Sequence, residues 1–489
     1  MRGDGCGEAD PIVVSGNASG CLESALRALY GRAPITHSHV DSLRRELRIN
    51  LRLALPLIAA QLAFVSMGTV DAIFAGRLGV SELAAVAVGS NVWFLTFVMF
   101  MGVAMAVSPI VAQRIGAGWG PDGIGEFLRG AMVLALVLGL VWLALLMASI
   151  GPVLSLLDLD ARTAGFARAY LFALSWSALP LSLCFFLRNG AEGHGLTRVT
   201  LAAGLVGLSV NAGLNWLLVY GNWGFPRLGP AGCGWATTIA SWTMVLSYLL
   251  SYRRHAPLRA LHLFRRGVPR IEAQTLEVLR VGLPVAAILA AEAWLFCIGA
   301  LLMARFGADA VAAHQIAINF ASLCFMVPTA IGMATTVRVG HAAGAGDAGA
   351  VALRGRAGIA LGVAFALMSA AVMALAPGVI VSVYTSAEHL AAPAAHFLAF
   401  AALFQVFDCV QATANGALRG LKDTHVPMSI TLFAYWAIGM PLAVGLAFGT
   451  SAGPSGIWYG FVAGLAVAAI GLSWRFLGRD PAGVVRVGG

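Results

Sequence analysis

Val281-Gly-Leu-Pro-Val-Ala-Ala-Ile-Leu-Ala-Ala-Glu292-Ala-Trp-Leu-Phe-Cys-Ile-Gly-Ala-Leu-Leu-Met303 is an apolar run interrupted by a single carboxylate. About 20 apolar residues cross the hydrocarbon core as a helix, so the run is long enough to span. No basic residue lies within two turns of Glu292. A charge near the bilayer centre costs roughly 2.5–3.5 kcal/mol on insertion scales, so an acid kept there points to function.

The same oily texture recurs along the whole chain. Hydrophobic residues make up 59% and charged residues 11%, where a soluble domain carries roughly 25% charged residues. Windows of spanning length fall near residues 51–76, 83–110, 128–151, 166–187, 199–220, 232–252, 279–303, 311–336, 357–381, 394–417, 427–449 and 456–477. The chain therefore reads as an all-α polytopic membrane protein of twelve transmembrane helices. Its basic balance is a matter of sidedness. Arg77, Arg162, Arg168, Arg227 and Arg305 fall in loops on one side, and the remaining 26 of 31 basic residues fall on the other. Positive charge marks cytoplasmic loops, which places both termini inside the cell. Nucleic-acid binding is the weaker reading, because no arginine cluster is interleaved with aromatics on a soluble domain.

An internal repeat organises the spans. Sliding the chain by 228 residues sets Leu55-Pro56 on Leu283-Pro284, and Arg77, Gly79, Asn91 and Met105-Ala106 on Arg305, Gly307, Asn319 and Met333-Ala334. The match closes with Gly116-Ala117-Gly118 on Gly344-Ala345-Gly346, and a later echo sets Gly195-Leu196 on Gly420-Leu421. Six spans per repeat keep the same orientation, so two six-helix lobes are related by a pseudo-twofold axis along the membrane normal. The boundaries read as a disordered cytoplasmic tail over 1–48, an N-lobe over 49–252, a basic connector over 253–278, a C-lobe over 279–478 and a C-terminal tail over 479–489. Leu22–Tyr30 and Val40–Leu53 are possible short helices at the start. Pro56 and Pro284 recur at matched positions, as kinks or as entry-turn prolines.

Three carboxylates lie well inside apolar spans: Asp71 in span 1, Glu292 in span 7 and Asp408 in span 10. Asp408 shares a helix face with Gln405, Gln411 and Asn415, and Asn211 and Asn215 share one in span 5. Glu292 and Asp408 both belong to the C-lobe and can face each other. Two carboxylates in a low dielectric require a shared proton or a bound cation, and with amide oxygens nearby a hard cation such as Na⁺ suits the pair. Asp71, with Asn211 and Asn215 as partners, suits a single proton. The repeat sets Asp71 on Gly299 and Glu292 on Phe64, so the lobes do not carry equivalent acids. For the amides alone, interhelical hydrogen bonding is an equally good explanation.

Other chemistry is sparse. Lys422 follows Leu421, so no Gly-Lys-Ser/Thr phosphate loop exists, and no HExxH helix or paired Cys/His site supports an intramembrane enzyme. The seven cysteines form no CxxC pair and read as packing residues. His314 reads as a hydrogen-bonded structural histidine before a proton relay. Trp93, Trp176, Trp216, Trp223 and Trp458 fall near span ends, as an aromatic belt does.

At these residues the chain resembles the multidrug and toxic compound extrusion (MATE) transporters, in particular their bacterial NorM-like branch. The likeness rests on Met67-Gly-Thr-Val-Asp71-Ala-Ile-Phe-Ala-Gly76, Ser108-Pro-Ile-Val-Ala-Gln-Arg-Ile-Gly-Ala-Gly118 and Asn215-Trp-Leu-Leu-Val-Tyr-Gly221. It continues through Gly232-Cys-Gly-Trp-Ala-Thr237, Ala312-Ala-His-Gln-Ile-Ala-Ile-Asn319, Val337-Arg-Val-Gly340 and Gln405-Val-Phe-Asp408 to Leu418-Arg-Gly-Leu-Lys-Asp-Thr424. It covers about residues 44–478. The resemblance implies a monomeric exporter of bulky, often cationic drugs and dyes in the bacterial inner membrane, in contact with lipids. It implies antiport with Na⁺ or H⁺, no other cofactor, an N-lobe acid at Asp71, and a C-lobe pair at Glu292 and Asp408 that would hold Na⁺ where Na⁺ is used. One departure is Phe404, where the family often has tyrosine four residues before the span-10 acid. A flippase for a lipid-linked precursor is the rival within transport. It calls for a basic residue lining the cavity, and no apolar span has one centrally.

Overall fold

The computed structural model describes residues 37–157, 159–265 and 271–478. The segment 1–36, with its possible helix at Leu22–Tyr30, and the tail 479–489 lie outside the described residues. Twelve helical spans run in chain order. They are α1 (His37–Gly76), α2 (Val80–Gly116, interrupted at Met105-Ala106), α3 (Pro121–Leu156), α4 (Ala161–Ser175 and Ala178–Gly193), α5 (Thr197–Tyr220) and α6 (Pro230–Arg254). The second set comprises α7 (Ile271–Met303), α8 (Ala308–Gly344), α9 (Ala348–Leu375), α10 (Glu388–Gly420), α11 (His425–Gly449) and α12 (Ser455–Leu477). Ten are long and apolar enough to cross a membrane, and α4, bent by 42° between its two halves, makes an eleventh. The more polar α6 is packed inside the N-lobe against α4 and α5. Lipid-facing leucines and valines such as Leu140, Leu145, Leu367 and Val372 stay exposed.

Several expectations change. Residues 37–48, assigned to a disordered tail, are the first turns of α1. Leu43 is buried there, and Glu46 binds Arg338 at 2.6 Å and Arg354 at 3.6 Å, which holds this helical extension against α8 and α9. The span windows are too short at this end because charged residues that pack on protein look like loop residues. Pro56 and Pro284 lie deep within continuous helices, so they are not entry-turn prolines. The later register of the repeat also shifts. α4 ends at Gly193 and α10 at Gly420, and the same hydrogen bonds close both ends: Leu196 N–H to Ala191 O, and Asp423 N–H to Leu418 O. Gly193, not Gly195, is thus the counterpart of Gly420. Trp93 and Trp458 leave the aromatic belt: Trp93 stacks on Phe97, and Trp458 is fully buried against Phe397 and Phe461.

The lobes meet at one end of the bundle, where α2, α4, α8 and α10 terminate. There α2 crosses α7 and, by the pseudo-symmetry, α8 crosses α1. A Cβ on Gly102 would strike the backbone of Ala286, and one on Gly282 would lie 2.7 Å from Val103 O. Ala54 and Ala330, at the equivalent places, are fully buried in the same interlobe core with Met105, Val285 and Met333. Hydrogen bonds from Asn50 to Thr335 and from Gln113 to Gly420 O, and the Arg114–Glu277 ion pair, tie the lobes further. Away from this base the walls part. The α8 stripe that makes contact at Ala330 and Met333 continues through Ser322, Asn319 and Gln315, which are exposed, as is Asn91 on α2. Polar side chains on a mid-span face therefore line an open cleft.

Replacing Gly282 with leucine forces a side chain into this crossing. Overpacking of this kind costs about 1–3 kcal/mol, which thermal unfolding in detergent should register as a lower midpoint. Gly213→Ala, where the added Cβ meets nothing within 4 Å, leaves the midpoint unchanged or raises it.

Candidate functional site

The N-lobe acid sits in a complete donor cage. Asp71 Oδ1 accepts from Asn215 Nδ2 at 2.7 Å and Asn211 Nδ2 at 3.1 Å, both on α5. Its Oδ2 accepts from the Thr237 hydroxyl on α6 at 2.8 Å, and Thr237 in turn accepts from Asn211 at 3.0 Å. The expected partners are therefore both present, four residues apart on one helical face. Thr237 is a site residue that the analysis of intramembrane acids and amides missed. Its one sequence signal is its place at the end of Gly232-Cys-Gly-Trp-Ala-Thr237. Three donors hold the two carboxylate oxygens, and these charge-assisted bonds weaken when the acid takes up a proton.

The C-lobe pair is built differently. Asp408 on α10 is 2% exposed, and its Oδ1 has no hydrogen-bond partner. Glu292 on α7 is half-buried, close enough that its charge acts on Asp408. Gln405 is fully buried, donates to Cys409 Sγ at 3.4 Å and leaves its Oε1 unpaired. Gln411 is engaged elsewhere, its Oε1 accepting from the Tyr435 hydroxyl on α11 at 2.7 Å. Asn415 is half-buried and makes no side-chain hydrogen bond among the described residues, so of the three amides Gln405 is the one buried with an unpaired oxygen. Tyr435 lies inside a seven-residue π-helical stretch, Phe433–Gly439. Such stretches are rare and often mark functional sites. Two acids and an amide oxygen with open lone pairs are hard oxygen donors of the kind Na⁺ takes, and the same acids can share a proton.

Packing explains why the lobes differ. Gly299, the counterpart of Asp71, lies where any Cβ would run into the ring of Phe461, whose own counterpart in the N-lobe is Thr237, the donor to Asp71. Phe64, the counterpart of Glu292, stacks on Phe97 with centroids 5.7 Å apart and meets Phe185 edge-on at 5.6 Å. Each acid's opposite number is thus a packed apolar position. Phe404 packs edge-on against Phe296 and Trp458, and the nearby hydroxyl comes from Tyr435. His314 is buried against Trp458, and its Nδ1 has no partner, which corrects the expectation of a hydrogen-bonded histidine. Arg188 and Arg419, counted with the loop charges in the sequence, are buried inside α4 and α10. They lie at the base, away from the exposed stripe.

The MatE family model matches the chain twice, at residues 56–217 and 284–444, the same 228-residue step as the internal repeat. Multidrug resistance protein PmpM of Pseudomonas aeruginosa is 40% identical over 437 residues, covering 88% of this chain and 91% of that protein. A probable multidrug resistance protein NorM of Xanthomonas campestris is 39% identical over 446 residues, covering 90% of this chain and 97% of its own length. Among solved structures, the eukaryotic MATE transporter AtDTX14 superposes with a TM-score of 0.83 at 21% identity, covering 91% of this chain and 98% of that one.

Thr237→Val preserves shape and removes one donor from Asp71. Leaving a buried acceptor short costs about 1–3 kcal/mol, so the unfolding midpoint should fall. Thr243→Val on the exposed face of the same helix should leave it in place.

Proposed function

We propose that this chain, which belongs to the MatE family, exports bulky, often cationic or amphipathic drugs from a bacterial cell by antiport with Na⁺ or H⁺. The observation that carries the coupling is the C-lobe pair, a half-buried Glu292 and a more deeply buried Asp408 whose Oδ1 has no partner. The basic residues on one face support an inner-membrane orientation with both termini cytoplasmic. In that orientation the base is the cytoplasmic closure, and the cleft opens outward.

Transport then follows from charge. With the cleft open to the outside, a cation reaches Glu292 first and Asp408 behind it. Binding relieves the mutual repulsion of two carboxylates in a low dielectric. A ligand shifts a conformational balance only by its difference in affinity between the two states. Neutralising the pair in the open state therefore favours the arrangement in which drug leaves the cleft. Loss of the cation on the cytoplasmic side resets it. The Asp71 cage is a second and separate lever: a proton there weakens its three charge-assisted bonds and loosens α1 from α5 and α6. The cleft lies between lobes of one chain, which suits a monomer working in lipid, with no covalent step.

In proteoliposomes, Glu292→Gln and Asp408→Asn should each lower ethidium or norfloxacin efflux at least tenfold. Full efflux by both variants would falsify the coupling role of the pair. Imposing a Na⁺ gradient at zero ΔpH, and then the reverse, assigns the ion. Efflux under neither gradient overturns antiport.

A further inference from the structure

The base of the bundle carries an ion cluster for which the coupling scheme has no use. Two hydrogen bonds cross the lobe interface there in a pseudo-symmetric pair: Gln113 Nε2 to Gly420 O at 2.8 Å, and His341 Nε2 to Gly193 O at 2.9 Å. Gln113 and His341 are counterparts under the repeat, as are Gly193 and Gly420. Between them lie Glu192 of the N-lobe, 1% exposed, and Arg419 of the C-lobe, 8% exposed, which occupy equivalent positions with opposite charge.

Their surroundings are unequal. Glu192 Oε1 accepts from Arg188 Nε at 2.7 Å and from Thr200 at 3.2 Å, and Arg188 continues to Gln61 at 2.8 Å. That acid is already compensated. Arg419 has only a 3.3 Å contact from Nε to the Thr336 hydroxyl and a 3.8 Å contact from Nη1 to Met105 Sδ across the interface. Among the described residues no carboxylate comes within hydrogen-bonding distance of it. The cluster therefore holds two guanidinium charges against one carboxylate, shut away from water. Burying a charge without a full partner is unfavourable, and the deficit disappears when water reaches the group. Every interlobe tie at the base favours closure, whereas the burial of Arg419 opposes it.

We propose that Arg419 is a positioning residue for transport, a buried and under-compensated charge that keeps the closed base poised to open. The role rests on reading the chain as an alternating-access exporter. The charge raises the energy of the closed base alone, so it sets the rate at which the base opens to take up drug.

The test places spin labels on Gly120→Cys and Ala345→Cys, exposed sites on opposite lobes at the base. The full-length chain, with its other cysteines replaced, is reconstituted in nanodiscs, and the label–label distance distribution is read without drug. Arg419→Met removes the charge and should raise the ratio of short to long distances at least threefold. Arg419→Lys restores the charge and should return the ratio towards the parent. Met105→Glu supplies the missing carboxylate across the interface and should enrich the short distance while slowing efflux at least tenfold. It serves also where Arg419→Met fails to fold. An unchanged ratio, or a shift to long distances, in Arg419→Met or Met105→Glu overturns the proposal. The distances need neither drug nor coupling ion, so a parent protein inactive in efflux would sink the exporter reading alone.

Discussion

Two pairs of helices cross so closely at the base of this protein that a side chain has no room. Gly102 and Gly282 bring α2 and α7 to backbone contact, and Ala54 and Ala330 do nearly the same for α1 and α8. Small residues at such crossings let helices gain dispersion contact in a solvent that offers no hydrophobic drive. Everything else about the interface follows from where this contact lies. It joins the lobes at one end, leaves polar faces of α2 and α8 uncovered at the other, and fixes how far each acid stands from the open cleft. The hydrogen bonds and ion pairs of the base decorate a contact already set by the absence of side chains.

Within the lobes the same problem, a carboxylate in an oily helix, has two solutions. Asp71 is surrounded by donors, and its charge is dispersed among two amides and a hydroxyl. Asp408 has a free oxygen and a second acid for a neighbour. The first arrangement is self-sufficient and the second calls for something mobile and positive. An architecture repeated twice therefore supports two unlike ion sites, and the internal symmetry describes the scaffold better than it describes the chemistry.

Much of this was legible in the chain because lipid leaves few alternatives. An acid in a spanning run stands out, and the face shared by Asn211 and Asn215 sufficed to place the Asp71 cage. The ungapped 228-residue step over residues 55–118 predicted the lobes. Legibility failed where residues are ambiguous in character. Thr237 and Tyr435 are ordinary in membrane helices, and only their neighbours make them part of a site. Arg188 and Arg419 sit just past the apolar windows, where a buried charge and a loop charge look alike. Glu46 hid the start of α1 for the same reason, its partners Arg338 and Arg354 being some three hundred residues away. Trp93 and Trp458 fall near span ends, but depth along a helix does not tell which face meets lipid.

The exchange of Asp71–Thr237 in one lobe for Gly299–Phe461 in the other bears on how such a duplicated protein diverges. Placing an acid at residue 299 in one step would drive it into the ring of Phe461. Shrinking Phe461 first would open a hole in the C-lobe core that an acid alone would leave unpaired, since Phe461 itself stands where the N-lobe has the donor Thr237. Neither order of substitution passes through a well-packed intermediate. Once the two halves had fused and drifted this far, each was committed to its own ion site, and return to symmetry was closed off by side-chain volume before selection on transport came into play.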